Sequence, residues 1–176
     1  MSGCRRAGKD GGIHSELLPI YLNDHLAGAT AALELARRLV RSNGGKDYGP
    51  PLAQLAVDIE EDRNSLLSIM AELEVGVDRV KLAAGWAAEK LGRLKLNGRL
   101  LSYSPLSRVM ELELLLLGVT GKLALWRALH QLAPSEPRLE RGELERLIER
   151  AERQAQELET LRQRAVSDAF GAPERT

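Results

Sequence analysis

The sequence predicts an all-α protein: an antiparallel four-helix bundle carrying a fifth, amphipathic helix at its C-terminus. Three observations carry that prediction. Apolar residues recur at spacings of three and four along five long stretches. Strand-period alternation never lasts more than a few residues, and no repeat of solenoid period is present. Clusters of glycine, proline and asparagine fall at 42–51, 97–98 and 134–137, between the stretches.

The chain is organised around residues 105–132. Ser104 followed by Pro105 reads as an N-cap and a proline at the first helical position, where the missing N–H does no harm. Leucine covers every side of this stretch for several turns, so a helix here needs neighbours on every side. Glu111, Glu113, Lys122 and Arg127 interrupt it, leaving no apolar run near the ~20 residues that a bilayer requires. Leu116 and Leu123 fall in its most apolar part and are expected in the core.

A first helix is expected over 15–41, with the face Leu18, Leu22, His25, Ala29, Ala32 and Ala36 turned inward. The small residues Ala27, Gly28, Ala29, Ala31 and Ala32 let another backbone approach closely. The loop 42–50 suits antiparallel neighbours. A second helix over 51–74 aligns Leu52, Leu55, Ile59, Asp62, Leu66, Ile69 and Leu73, with Gly76 as its expected C-cap. A third, over 78–96, aligns Val80, Ala84, Ala87, Leu91 and Leu94 and turns Lys81, Arg93 and Lys95 outward. The last helix, over 138–168, carries a narrow apolar line through Leu144, Ile148, Ala151, Ala155, Leu158 and Ala165 amid glutamate and arginine. Such a line either packs on the bundle or forms a seam for a protein partner or a second copy in a homodimer.

Composition narrows function chiefly by exclusion. The 176 residues fit one domain with a sizeable core, over residues 15–133 with the last helix at 138–170, and residues 1–14 read as a disordered tail. Charged residues make up 28% of the chain and balance to zero, and aromatics are only 3%, so neither the basic face nor the stacking platforms of a nucleic-acid binder are present. The first residues lack the apolar core of a secretory signal, which places the expectation in the cytoplasm and off the membrane. Cys4, in the tail, is the only cysteine, and no Gly-x-Ser-x-Gly elbow occurs, so no nucleophilic triad is supported. Gly44, Gly45 and Lys46 lack phosphate-loop spacing and read as a turn.

The strings YLNDHLAGATAALELARRL (21–39), IEEDRNSLLSIMAEL (59–73), EKLGRLKLNGRLLSYSPLSRVMELE (89–113) and GKLALWRAL (121–129) resemble an uncharacterised bacterial family of helical-bundle proteins placed near the ferritin-like bundles. The resemblance covers about residues 15–133 and implies the fold, not an activity. Ferritin-like bundles hold two metal ions with Glu-x-x-His on two helices and one glutamate on each of two others. Here Gly11, Leu22 and Arg127 stand three residues before His14, His25 and His130, so the motif is absent.

Four helices nevertheless each place a polar residue on or beside an apolar stripe: His25, Asp62, Glu89 and Glu113. As ligands they offer one imidazole and three carboxylates to iron, manganese or zinc. As structure they form a buried polar network, with Lys90 or Lys122 neutralising Glu61 or Glu111 where a metal would otherwise do so. With no catalytic motif, three function classes stand: a non-enzymatic bundle acting through protein contacts, a divalent-metal bundle, and a small-molecule binder with an alanine-lined cavity.

Overall fold

The computed structural model describes residues 16–45, 47–79 and 103–171, and every regular element among them is an α-helix. They are α1 (Leu17–Asn43), α2 (Gly49–Glu72), α3 (Pro105–Leu132) and α4 (Arg141–Phe170). The expected tail at 1–14, nearly all of the expected third helix and Glu89 lie outside the described residues. None of the described helices is long and apolar enough to cross a membrane.

The central helix starts where the sequence places it. The Ser104 hydroxyl accepts from the Ser107 amide at 3.2 Å and the Ser107 hydroxyl accepts from the Ser104 amide at 3.3 Å, so two otherwise orphaned donors are satisfied reciprocally. α3 buries Val109, Leu112, Leu115, Val119, Leu125, Trp126 and Leu129. It is not covered all round by the described residues: Leu114 is 44% exposed and Leu117 68%, while Leu116 and Leu123 are only partly buried.

Two apolar clusters make up the core. One joins Leu35, Ala36 and Leu39 of α1 to Leu52 and Leu55 of α2, Leu112 and Leu115 of α3, and Leu158 and Leu161 of α4. The other joins the opposite ends: Leu22 and Leu26, Leu66 and Ile69, Trp126 and Leu129, Leu144 and Leu147. Each fully buried leucine contributes about 1.5–3 kcal/mol. The buried positions of α4, Leu144, Leu147, Ala151, Gln154, Leu158, Leu161 and Ala165, step by three and four without a break. Its apolar line is therefore spent on the chain's own core, with Leu147 and Leu161 more deeply buried than Ile148 and Ala155.

The end of α2 differs from expectation. Glu74, not Gly76, adopts the left-handed conformation, at φ 57°. The Val75 amide donates to Met70 O at 2.8 Å and the Glu74 amide to Ala71 O at 3.0 Å, the paired bonds of a Schellman turn. Val75 then packs against the second cluster, so the turn must fall where it delivers that side chain.

Candidate functional site

A layer of polar side chains separates the two apolar clusters at mid-height. On α2, Asp62 stands between Ile59 of the first cluster and Leu66 of the second. On α3, Lys122 stands between Val119 and Leu125, and on α4, Gln154 stands between Ala151 and Leu158. Helical spacing puts each on the inward stripe of its own helix, so the three converge.

Asp62 is 1% exposed and both of its oxygens are engaged. Oδ1 accepts from Arg150 Nε at 2.7 Å and also pairs with Arg150 Nη2. Oδ2 accepts from Gln154 Nε2 at 3.0 Å and from the Lys122 ammonium. Lys122 donates as well to Gln154 Oε1, which closes a three-membered ring of side chains. Arg150 Nη1 reaches out to Glu61 Oε2 at 3.0 Å. Two carboxylates thus face two cations, and the layer is formally neutral, as a low-dielectric setting demands. Burial pulls the Lys122 ammonium below the ordinary lysine range, while the Asp62 carboxylate opposes that shift.

Beside this layer opens a cleft of about 430 Å³ between α1, α2 and α3, whose walls include Tyr21, His25, Ala32, Leu66, Leu125 and Trp126. Asp62 and Lys122 form part of its floor. The His25 ring meets Tyr21 edge to face, with centroids 4.5 Å apart. Burial lowers the His25 pKa and Asp24 acts against it. Trp126 is fully buried, and its indole Nε1 has no hydrogen-bond partner among the described residues.

Of the four residues singled out as ligands, His25 and Asp62 come to this one cleft. Glu113 does not line it; its carboxylate lies 3.6 Å from Arg162 of α4. Glu89 lies outside the described residues. Among the described residues no group of three or more His, Cys, Asp or Glu side chains is disposed to hold a metal ion. Lys122 neutralises Asp62, whereas Glu61 meets Arg150 and Glu111 meets Arg38 at 2.9 Å.

A second polar cluster at the far end of the first core was not anticipated. Arg108, 5% exposed, donates from Nε to Asn43 Oδ1 at 2.7 Å, and its guanidinium carbon lies 4.4 Å from the centroid of the Tyr48 ring. The Tyr48 hydroxyl donates to Asp168 at 2.8 Å, and Asn43 Nδ2 donates to the Tyr103 hydroxyl at 3.0 Å. Burial pushes the Tyr103 hydroxyl up to about 12, against the hydrogen bond from Asn43. Arg108 lies four residues before Leu112 on the α3 stripe, which was the available signal. The cluster ties the ends of α1 and α4 to the start of α3.

Comparison with family models, with curated proteins and with solved structures finds no match to this chain.

Proposed function

We propose that the protein is a non-enzymatic, antiparallel helical bundle that acts through contacts. In this reading the mid-height position that ferritin-like bundles devote to metal is closed by an ammonium. The order of helix ends in the two core clusters supports the antiparallel arrangement. The resemblance of residues 15–133 to an uncharacterised family placed near the ferritin-like bundles is what suggests the comparison with a metal position.

One observation carries the reading: Asp62 has both oxygens engaged by Lys122, Arg150 and Gln154. A carboxylate that is to bind a divalent cation or accept a proton from a substrate must present a lone pair to the open cleft. Here two cationic side chains and an amide already take that capacity, and a third cation beside Lys122 and Arg150 meets like-charge repulsion. A buried polar layer of this kind sets which turns of neighbouring helices face one another, since a slip of one turn leaves an unpaired charge in the core.

Elemental analysis of the full chain purified without chelators tests this. The reading expects iron, manganese and zinc each well below one ion per chain, unchanged in His25→Ala. A stoichiometric metal that is lost in His25→Ala overturns it.

A further inference from the structure

We infer that the cleft between α1, α2 and α3 binds a small monocarboxylate with an apolar body, and that the guanidinium of Arg63 holds the carboxylate. Two basic side chains that stay charged near pH 7 stand on the walls, Arg63 and Lys122; the third basic group, His25, is uncharged there because burial lowers its pKa. The Lys122 ammonium is already met by Asp62 and Gln154. Arg63 is not met in that way. Its Nε donates to the Thr30 hydroxyl of α1 at 3.1 Å, and among the described residues no carboxylate forms an ion pair with it. Glu60, one turn before it on α2, and Glu34, one turn beyond Thr30 on α1, both pair with Arg37 instead, at 2.8 and 3.3 Å.

The guanidinium is also held in place. Thr30 donates its own proton to Leu26 O at 2.9 Å, so the oxygen that accepts from Arg63 Nε is fixed to the α1 backbone. Among the described residues Nη1 and Nη2 make no hydrogen bond, and Arg63 is half-buried. A planar fork with one nitrogen pinned and two free matches the two oxygens of a carboxylate.

The rest of the cleft sets the body and its direction. Ala29, Ala32, Ile59, Leu66, Leu125 and Trp126 give it apolar walls, and its volume of about 430 Å³ is that of a small-molecule site. From Thr30 back to Tyr21, the α1 wall runs about 14 Å at 1.5 Å per residue, the reach of an extended medium-chain acid. Asp24 is exposed about 9 Å along the same helix from Thr30, so an anion is repelled from that end and favoured beside Arg63. The far end of the body then meets the Tyr21 and His25 rings. A dianion fits less well, because one guanidinium faces two charges while Asp24 and Asp62 stand on the same walls.

Decanoate, below its micelle concentration, is the probe, with decanol as the same body without the charge. Calorimetric titration of the full chain at pH 7.5 is expected to give one decanoate per chain, bound about tenfold or more tighter than decanol. Arg63→Gln is expected to weaken decanoate by about the same factor and leave decanol unchanged. In a Trp86→Phe chain Trp126 is the sole tryptophan, and its emission is expected to shift with the calorimetric midpoint, which places the body in this cleft. Urea unfolding shows whether Arg63→Gln keeps the fold; if it does not, the ratio of decanoate to decanol affinity in the parent chain decides the head group and the Trp126 response decides the place. Equal affinities for decanoate and decanol overturn the inference, as does decanoate affinity unchanged in a folded Arg63→Gln. Uptake of several decanoates per chain with no Trp126 response, which is adsorption to exposed leucines, overturns it too, and so does the absence of any binding.

Discussion

The Lys122 ammonium of α3 donates to Oδ2 of Asp62 on α2 in the layer that divides the apolar core in two. Only the Asp62 side of this pair is fully buried; the Lys122 side chain is 12% exposed through the cleft. The two ends therefore respond differently to substitution. Asp62→Ala leaves Arg150 with Glu61 but takes from Lys122 the carboxylate it pairs with, and is expected to cost about 3–5 kcal/mol of unfolding free energy. Lys122→Met keeps the stem and leaves Asp62 with Arg150 and Gln154, so a smaller loss of about 1–3 kcal/mol is expected. Urea unfolding of both variants checks the order; equal losses, or a larger one for Lys122→Met, contradict it.

The core ranks the leucines of α3. Leu112 and Leu115 are fully buried, so truncation of either to alanine is expected to cost about 2–5 kcal/mol. Leu117, 68% exposed, is expected to stay within about 0.5 kcal/mol on the same change. Leu116 and Leu123 fall between. Denaturant midpoints for the series at constant slope provide the check.

At Glu74 the turn that ends α2 requires a positive φ from a residue with a Cβ. Glycine adopts that conformation without steric cost, and the carboxylate is almost fully exposed, with one 3.7 Å contact to Arg138 to lose. Glu74→Gly is therefore expected to raise stability by about 0.5–1 kcal/mol. Gly76→Ala is not expected to give a comparable change, and a gain there with none at Glu74 contradicts the assignment of the turn.

Removing α4 separates packing from assembly. Leu144, Ala151, Leu158 and Ala165 are buried against the other helices at 1% exposure or less, so the helix is part of both core clusters. A chain ending after Leu132 is expected to lose cooperative thermal unfolding. A truncated chain that melts with the sharpness of the full one contradicts this and returns α4 to the role of an assembly seam.

His25 supplies a pH dependence whose sign follows from its burial. Its folded pKa lies below the ordinary value of 6.5, with desolvation the leading cause. Between the folded and unfolded values the unfolded chain holds more protons, so stability falls as pH drops through that window and is restored above 6.5. His25→Leu is expected to remove that slope while preserving the fold. Stability measured from pH 7 downward in both chains decides it, and an unchanged slope in His25→Leu assigns the dependence elsewhere.

How far the sequence reaches is clearest at single residues. Ser104 and Pro105 announce the start of α3 because capping is a local transaction between neighbours, and the structure closes it with Ser107. Asp62 announces itself because a carboxylate on a stripe of leucine and isoleucine stands out at helical spacing. Its partners do not. Arg150 lies in a helix crowded with arginine, and nothing local distinguishes the one that turns inward. Gln154 and Arg108 follow the stripes of their helices, yet which polar groups meet across helices depends on rotation and height, which spacing alone leaves free. The first helix illustrates the limit: its deepest face runs through Leu22, Leu26, Leu33, Ala36 and Leu39, while His25, Ala29 and Ala32 border the cleft. In an alanine-rich helix the apolar arc is too wide for sequence to mark its centre.

The central claim is that Asp62 is satisfied by side chains and not by a metal ion. The most direct measurement is the unfolding free energy of the full chain in chelator and again with manganese, ferrous iron or zinc in excess. A native-state ion would add RT ln(1 + [L]/Kd), about 2.7 kcal/mol at one hundred times Kd. The account predicts the same unfolding free energy in chelator and in each metal, and the same again for the difference in Asp62→Asn. A rise of that size in the parent chain, abolished in Asp62→Asn, contradicts it.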